Sequence, residues 1–195
     1  MPDKRISAWE RKETSLHADC SVYKILKERW TNERESSHGD FFVMDVGDWA
    51  VAMALTERDT IVLVRQFRFG TAGFSWELPA GVVDPGEDPV EGGLRELYEE
   101  SGYKGKSTKL LGMVHPNPAI QRNCCHFVLV EGAERVDGGD PGPHEFFDVE
   151  EVPLNTLFDW ARDGTITHGI VHAALFFLRD HLLESGYKPS ELGVR

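Results

Sequence analysis

The chain has 195 residues, of which 41% are hydrophobic and 28% charged, and its formal net charge at pH 7 is −12. This composition is typical of a globular domain, and the acidic balance disfavours a nucleic acid or an anionic membrane as the main partner. The apolar runs are shorter than a membrane span, and the opening segment MPDKRISAWERKET lacks the apolar core of a secretory signal. We therefore expect a cytoplasmic protein with no nucleic-acid or membrane partner.

Short apolar segments predict several β-strands in the first half of the chain. Residues 1–20 are polar and are predicted to be irregular, whereas 21–56 contains apolar runs separated by turn-like sequences, typical of a small sheet of two or three strands. The run TIVLVRQFRF (60–69) is apolar on both faces, which predicts a buried central strand. FSWELPAG (74–81) predicts a further strand that ends in a turn.

The second half predicts more strands, an exposed Gly/Pro-rich loop and two closing helices. The strands are predicted at 107–116, 123–132 and 146–152, the loop at 136–145, and the helices at 153–164 and 168–185. His168 and His172 of the last helix are expected to be surface or capping residues. Strands, a helix, further strands and then helices predict an α+β fold built in layers. We expect an N-terminal antiparallel β subdomain over 1–55 and a main domain over 56–195.

A helix is also predicted between these two groups of strands, over residues 88–101. Asp88 is a good N-cap, Pro89 is favoured at the first helical position, and Gly102 is a natural stop. Val90 and the leucines at 94 and 97 recur at helical spacing. The helix is therefore expected to pack on a core by one side.

Three carboxylates, those of Glu96, Glu99 and Glu100, cluster on the other side of the helical wheel. A solvated acidic face is the ordinary explanation, but such a face usually carries lysines one turn away, and this one has none. Gly92 and Gly93 are expected on the carboxylate side, where glycine destabilises a helix but lets a loop or ligand approach closely. Because Mg²⁺ prefers carboxylate oxygens, the pattern predicts a divalent-metal site.

The spacing of these residues resembles the Nudix box, G-x5-E-x7-R-E-U-x-E-E-x-G-U, where U is a bulky aliphatic residue. Tyr103 departs from the pattern at the final U; the matching residues are Gly81, Glu87, Arg95, Glu96, Leu97, Glu99, Glu100 and Gly102. The resemblance implies a Nudix-type α/β/α sandwich with a mixed sheet. It also implies a hydrolase that depends on two or more Mg²⁺ ions, for which Mn²⁺ substitutes.

The same resemblance implies roles for individual residues. It gives the metal ligands as Glu96, Glu100 and the backbone carbonyl of Ala80, with Glu99 as a further ligand or a base. Arg95 is implied to orient the carboxylates, through an ion pair with Glu87. That ion pair also has a purely structural explanation, which is to close the loop onto the helix.

The flanking segments VRQFR and WELPAG resemble the ADP-ribose pyrophosphatase and nucleotide-sugar hydrolase branch of this family. The branch implies a nucleoside diphosphate sugar as substrate, first of all ADP-ribose, cleaved to AMP and ribose 5-phosphate. GDP-mannose or another nucleotide sugar or dinucleotide is the alternative. It also implies a homodimer formed through the N-terminal sheet. A non-catalytic module that senses nucleotide sugars is a different possibility, but it would be expected to have lost a glutamate of the box.

Strand alternation separates the two arginines of VRQFR. Arg65 shares a face with Ile61 and Leu63, whereas Arg68 belongs to the other face. We expect Arg68 to contact the diphosphate and Arg65 to be structural or a secondary contact. Glu77 is predicted either to bind a ribose hydroxyl or to pair with an arginine.

Two roles each have two candidate residues: stacking on the nucleobase and activation of the attacking water. Trp49 or Trp30 would stack on a nucleobase, although a strand tryptophan more often packs in a core. The branch implies a glutamate on a late loop as general base, which favours Glu145, and Glu99 is the second candidate. Closure of the loop would exclude water.

Overall fold

The computed structural model describes residues 6–193, which form two units. One unit contains the described residues up to Gly47 together with His115–Asn123, and the other contains Asp48–Val114 and the described chain from Cys124 onward. The first five residues of the segment predicted to be irregular lie outside the described part. None of the helices between residues 6 and 193 has the length and apolar character needed to cross a bilayer.

The first unit contains a three-stranded antiparallel sheet in the order β1 (Glu10–Asp19), β2 (Lys24–Asn32) and β3 (Ser37–Asp45). The prediction of irregular structure over residues 1–20 is therefore wrong for β1. Its side chains are nearly all exposed, so no apolar periodicity marks it as a strand. Backbone pairing with β2 along its whole length forms the strand instead.

A seven-stranded sheet organises the second unit. Its strands are β4 (Trp49–Leu55), β5 (Thr60–Arg68), β6 (Gly73–Glu77), β7 (Ala80–Val82), β9 (Ser107–Val114), β10 (Cys125–Glu131) and β12 (Asp148–Pro153). The path through the sheet is β12-β5-β4-β10-β9, with β6 paired to β5 and β7 paired to β4. Strands β4 and β10 run parallel and the other pairs of this sheet are antiparallel, so the sheet is mixed, as predicted. A separate short ladder joins β8 (Tyr103–Lys104) to β11 (Glu134–Arg135).

Two features of this sheet differ from the sequence prediction. The strand predicted over 74–81 is broken at Leu78 and Pro79, because proline has no N–H to donate to a ladder. The break lets β6 pair with β5 while β7 pairs with β4. In addition, β4 belongs to this sheet, whereas the sequence placed it in the N-terminal β subdomain. The predicted division into domains 1–55 and 56–195 stays a prediction.

The helices follow the capping signals closely. Helix α1 (Pro89–Ser101) begins after Asp88, whose side chain accepts a hydrogen bond from the Val90 N–H, and ends at Gly102 with a φ of 73°. Helix α2 spans Leu154–Asp163, so Pro153 ends β12 and precedes the helix rather than opening it. Helix α3 spans Gly169–Glu184 with His168 as its N-cap, and a 3₁₀ turn follows at Pro189–Leu192.

The seven-stranded sheet carries helices on both faces, which confirms the predicted sandwich. Because strand side chains alternate, Val51 and Met53 of β4 join one core while Ala52 and Ala54 join the other. The first core contains residues of α2 and α3, and the second contains Leu97 of α1. Among the helices that the structure describes, α1 is therefore the one whose residues join the second core.

Candidate active site

Glu96 of α1 faces strand β7 at very close range. A Cβ atom built on Gly81 would lie 2.1 Å from the carboxylate carbon of Glu96, so a larger residue would require one of them to move. The side chain of Glu96 is only 14% exposed. Gly81 thus lets a strand backbone and a helix carboxylate occupy adjacent positions.

The two glycines inside α1 serve different contacts. A Cβ atom on Gly92 would lie 3.0 Å from the carboxylate of Glu87, which agrees with the expected approach of a loop. A Cβ atom on Gly93 would lie 3.2 Å from Val128 and 3.6 Å from Ala50. The prediction that Gly93 lies on the carboxylate side is therefore wrong. This glycine lets α1 pack close to β4 and β10.

Arg95 joins the loop before α1 to the helix carboxylates. Its Nε and Nη2 donate to the two oxygens of Glu87 at 3.0 and 3.1 Å, and Nη2 also donates to the Val82 carbonyl at 2.9 Å. Its Nη1 donates to Glu96 Oε1 at 2.7 Å and to Glu99 Oε2 at 3.0 Å. The hydrogen bond to Glu87 is the main reason that the pKa of Arg95 is raised. The expected Arg95–Glu87 pair is present, and the same guanidinium orients two helix carboxylates.

Glu100 is buried, with 7% of its surface exposed. Its Oε2 accepts a hydrogen bond from the Ala80 N–H at 3.0 Å. The pKa of Glu100 is raised to about 9, mainly by burial and in part by the nearby charge of Glu96. Burial also raises the pKa of Glu96, although Arg95 opposes that shift. Two carboxyl groups therefore lie where negative charge is poorly solvated.

Within residues 6–193, no group of three or more His, Cys, Asp or Glu side chains converges into a formed metal site. In this region Arg95 donates to Glu96 and Glu99, and the Ala80 N–H donates to Glu100. The donor set nevertheless fits a hard divalent cation. Carboxylate oxygens are the ligands that Mg²⁺ prefers. Burial disfavours the ionised forms of Glu96 and Glu100, and a nearby cation would stabilise them.

The raised pKa of Glu100 leads to a prediction about the metal-free protein. The unfolded state releases the Glu100 proton near its ordinary pKa of 4.5, whereas the folded state keeps it up to about pH 9. The unfolded state therefore binds fewer protons across this range, and stability falls as pH rises. Glu100→Gln, which resembles the protonated form, should lack this loss. Relative to wild type, its free energy of unfolding should increase by at most about 1.4 kcal/mol per pH unit between pH 5 and 8.

Urea denaturation in chelator at pH 5 and pH 8 measures this difference. Glu91→Gln is a suitable control, because Glu91 is exposed on the same helix. A gap between wild type and Glu100→Gln that is constant over this pH range would contradict the burial of a protonated carboxyl group.

The two arginines of β5 lie on opposite faces of the strand, as alternation predicts. Arg65 pairs across the ladder with Trp76 and lies over the ring of Phe74 at 4.5 Å. Arg68 instead donates to both oxygens of Glu77, from Nε at 2.8 Å and from Nη2 at 2.6 Å. This hydrogen bonding is the main cause of the raised pKa of Arg68. Of the two roles left open for Glu77, pairing with an arginine is the one seen in its contacts.

The structure brings Glu145 close to the acidic helix. Its negative charge is among the causes that raise the pKa of Glu96 and of Glu100, after the larger effect of burial. Glu145 itself is exposed, on the loop predicted at 136–145. The start of this loop is attached to α1, because the Asp140 N–H donates to the backbone carbonyl of Glu99 at 3.0 Å. Both candidate bases therefore lie in the same region.

The tryptophans have packing partners within their own units. Trp49 packs against the core on the α2 and α3 side of the seven-stranded sheet. Trp30, in the first unit, donates from Nε1 to Glu28 at 3.1 Å, and Arg11 lies over its ring at 5.9 Å. These are packing contacts, as is usual for tryptophans in strands. Stacking of Trp49 on a nucleobase stays a prediction.

His168 also lies near a carboxylate, which the sequence did not indicate. Its Nδ1 accepts a hydrogen bond from the Ile170 N–H at 3.2 Å, which agrees with the predicted capping role. Its Nε2 lies 3.9 Å from Glu77 Oε2. No local pattern links residues so distant in the chain, and only the tertiary fold brings them together.

Comparison with known proteins gives a consistent result. The model of the NUDIX domain matches residues 48–171. An ADP-sugar pyrophosphatase of Mus musculus is 35% identical over 141 residues, which are 69% of this chain and 64% of the relative. An ADP-ribose pyrophosphatase of Bacillus subtilis is 32% identical over 103 residues, 52% of this chain and 56% of the relative. The chain thus spans less than two thirds of the length of these two relatives.

Two other similarities cover more of the chain. A GDP-mannose pyrophosphatase of Klebsiella pneumoniae is 29% identical over 192 residues, 88% of this chain and 96% of the relative. The crystal structure of an ADP compounds hydrolase superposes with a TM-score of 0.80 at 20% identity, over 94% of this chain and 99% of that one. The structural likeness supports the fold, including the small N-terminal sheet.

Proposed function

The chain belongs to the NUDIX family, and on that premise we propose that it hydrolyses the diphosphate bond of a nucleoside diphosphate sugar with the aid of Mg²⁺. ADP-ribose, cleaved to AMP and ribose 5-phosphate, is the first substrate proposed. The names of the mouse and Bacillus relatives support this choice. GDP-mannose is the alternative, favoured by the relative whose length the alignment spans almost completely.

The observation that carries the proposal is the pair of poorly solvated carboxyl groups on α1, Glu96 and Glu100, beside Ala80 and Gly81. We propose that these glutamates hold Mg²⁺, or Mn²⁺ in its place, with the Ala80 carbonyl and Glu99 as further ligands and two or more ions in the site. A bound divalent cation stabilises charge on the transferring phosphoryl group and activates water. A sensing module without activity would not need the complete set of box glutamates.

The other residues have roles that follow from their contacts. Arg95 orients the carboxylates of Glu96 and Glu99, to which it already donates. Arg68 binds the substrate diphosphate, while Glu77 fixes the direction of its guanidinium.

We propose further roles for Glu145, Glu99, Arg65 and Trp49. Glu145 takes the proton from the attacking water, or Glu99 does so if the loop acts only as a lid. Arg65 is a secondary contact, and Trp49 stacks on the base. Each of these roles is tested by substitution of the residue concerned.

We also propose that the protein is a cytoplasmic homodimer that associates through the N-terminal β subdomain. The described part of this subdomain exposes large apolar side chains, among them Trp9 and Phe41. Their rings pack edge to face at 5.6 Å. A sheet with so few buried residues is poorly stabilised by its own core, and a second copy of the chain would cover it.

Arg68→Ala is expected to raise KM for the nucleotide sugar by about ten- to a hundredfold, because a charge-assisted contact to the diphosphate is lost. The change in kcat should be smaller, since the contact exists before the transition state as well as in it. Steady-state kinetics with Arg65→Ala as the comparison checks the assignment. A KM that stays at the wild-type value in Arg68→Ala and rises in Arg65→Ala would reverse it.

The Arg68→Ala variant also leaves Glu77 buried without its partner, which lowers stability. The double variant Arg68→Ala/Glu77→Gln removes that unpaired carboxylate. Its KM should remain high while its stability recovers.

A substrate panel tests the proposed function itself. Purified protein with Mg²⁺ is assayed against ADP-ribose, GDP-mannose, ADP-glucose, UDP-glucose and NADH, with 8-oxo-dGTP as a nucleotide that is not a sugar conjugate. We expect one or more nucleotide sugars to have the highest kcat/KM. Preference for 8-oxo-dGTP, or turnover of none of these compounds, would contradict the proposal.

A further inference from the structure

His168 occupies a half-buried position at the start of α3, where its ring is held in one protonation state. Its Nδ1 accepts the Ile170 N–H at 3.2 Å and so carries no proton of its own. Burial lowers the pKa of His168, which keeps the ring neutral near pH 7. A neutral imidazole with an unprotonated Nδ1 carries its proton on Nε2. The cap therefore determines which nitrogen is the donor.

The donor nitrogen faces a buried carboxylate that is already engaged by an arginine. His168 Nε2 lies 3.9 Å from Glu77 Oε2, and the Glu77 side chain is 3% exposed. The same Oε2 accepts from Arg68 Nη2 at 2.6 Å, while Oε1 accepts from Arg68 Nε at 2.8 Å. Glu77 is thus hydrogen-bonded to a full positive charge, and a neutral N–H dipole lies beyond hydrogen-bond distance, at 3.9 Å, from one of its oxygens.

The charge state of His168 affects the ion pair between Arg68 and Glu77. A second cation beside Oε2 would compete with the guanidinium for the carboxylate, whereas a neutral N–H adds attraction without competing charge. The hydrogen bonds to Glu77 use Nε and Nη2 of Arg68, which leaves Nη1 as the terminal nitrogen directed elsewhere. The side chain of Arg68 is 42% exposed, so solvent or a ligand reaches it. The orientation of Glu77 therefore decides where Nη1 points.

We propose that His168 is a positioning residue: the dipole of its Nε2–H, 3.9 Å from Glu77 Oε2, favours the observed orientation of this carboxylate and, through it, that of the substrate-binding guanidinium of Arg68. The inference deepens the proposed function and rests on the assignment of Arg68 to the diphosphate.

The test uses His168→Asn, because asparagine is itself a favoured N-cap but has no nitrogen at the position of Nε2. We expect KM for the nucleotide sugar to rise about threefold to tenfold, the effect of one weak polar contact, with kcat changed less than about twofold. The melting temperature should stay within about 2 °C of wild type, since the cap is kept. In an Arg68→Ala background, the same substitution should leave KM unchanged.

His172→Gln is the matched control, because His172 lies one turn further along α3 and its Nε2 contacts the Ile166 carbonyl instead. This variant should not alter KM. An unchanged KM in His168→Asn would overturn the proposal. An equal rise of KM in the wild-type and Arg68→Ala backgrounds would also overturn it, because the effect would then not pass through Arg68.

A second readout needs no substrate. The Nε–H resonance of Arg68 in a ¹⁵N NMR spectrum reports its hydrogen bond to Glu77. We expect His168→Asn to shift or broaden this resonance, and His172→Gln to leave it in place. No response to His168→Asn would refute the positioning role even if the enzyme is active, whereas failure of the substrate panel alone would refute the proposed function and not this contact.

Discussion

Replacing Glu100 with glutamine is expected to lower kcat for nucleotide-sugar hydrolysis by about 10³-fold or more, while the fold is retained. The substitution keeps the size of the side chain and the hydrogen bond from the Ala80 N–H, but removes the carboxylate that we propose as a metal ligand. A divalent cation contributes several kcal/mol of transition-state stabilisation, and each 1.36 kcal/mol corresponds to about a factor of ten in rate. The loss should therefore concern the rate rather than substrate affinity.

Two measurements on the same variant distinguish this explanation from unfolding. Metal-free Glu100→Gln should be more stable than wild type at pH 8, because its buried group cannot ionise. Addition of Mg²⁺ should raise the melting temperature of wild type and have little effect on the variant, since only the former binds the ion strongly. Glu91→Gln, at an exposed position of the same helix, should behave like wild type. Undiminished turnover by Glu100→Gln would refute its role as a ligand.

Glu145→Gln is expected to lower kcat by about 10²- to 10⁴-fold, the usual effect of removing a general base. Glu145 lies on the loop after β11 and outside α1, so Mg²⁺ affinity and KM should change little. Part of the lost rate should return at higher pH, where hydroxide replaces the missing base. Steady-state kinetics across pH, together with a Mg²⁺ titration of the melting temperature, tests both statements.

Glu99→Gln provides the comparison, because Glu99 is the other candidate base and a possible ligand. Its contact with Arg95 at 3.0 Å places it within the carboxylate network of α1. We expect this variant to need a higher Mg²⁺ concentration for half-maximal rate. If Glu145→Gln keeps the wild-type kcat while Glu99→Gln loses it at saturating Mg²⁺, the base is on the helix and the loop is only a lid.

Local signals were sufficient to predict α1 and the ends of α3. Asp88 and Pro89 act at the first turn of α1 and Gly102 acts at its last turn, and each has the capping role in the structure that the sequence predicts. The order of the elements predicted a layered α+β fold, whereas the mixed sheet and the two-faced sandwich were implied by the resemblance to a family. The separation of Arg65 from Arg68 needed only the two-residue period of a strand.

Features that depend on tertiary contacts were not predictable in this way. Strand β1 is exposed and polar, so only its pairing with β2 identifies it. The helical wheel separates the carboxylates of α1 from its apolar side, but it does not show that Gly93 lies against Val128 or that Glu100 is buried beneath β7. Both follow from how deeply the helix sits on the sheet. The approach of His168 to Glu77 likewise depends on the packing of α3.

The most direct test of the metal-dependent mechanism is an analysis of the products formed from ADP-ribose. Purified protein is incubated with ADP-ribose in Mg²⁺ or in excess chelator, and the nucleotide products are separated by chromatography. We expect AMP and ribose 5-phosphate in equal amounts with Mg²⁺, and unchanged ADP-ribose in chelator. Should ADP-ribose be cleaved equally fast in chelator, or at a bond other than the diphosphate, the assignment of Glu96 and Glu100 as the metal-binding centre of a diphosphate hydrolase would be wrong.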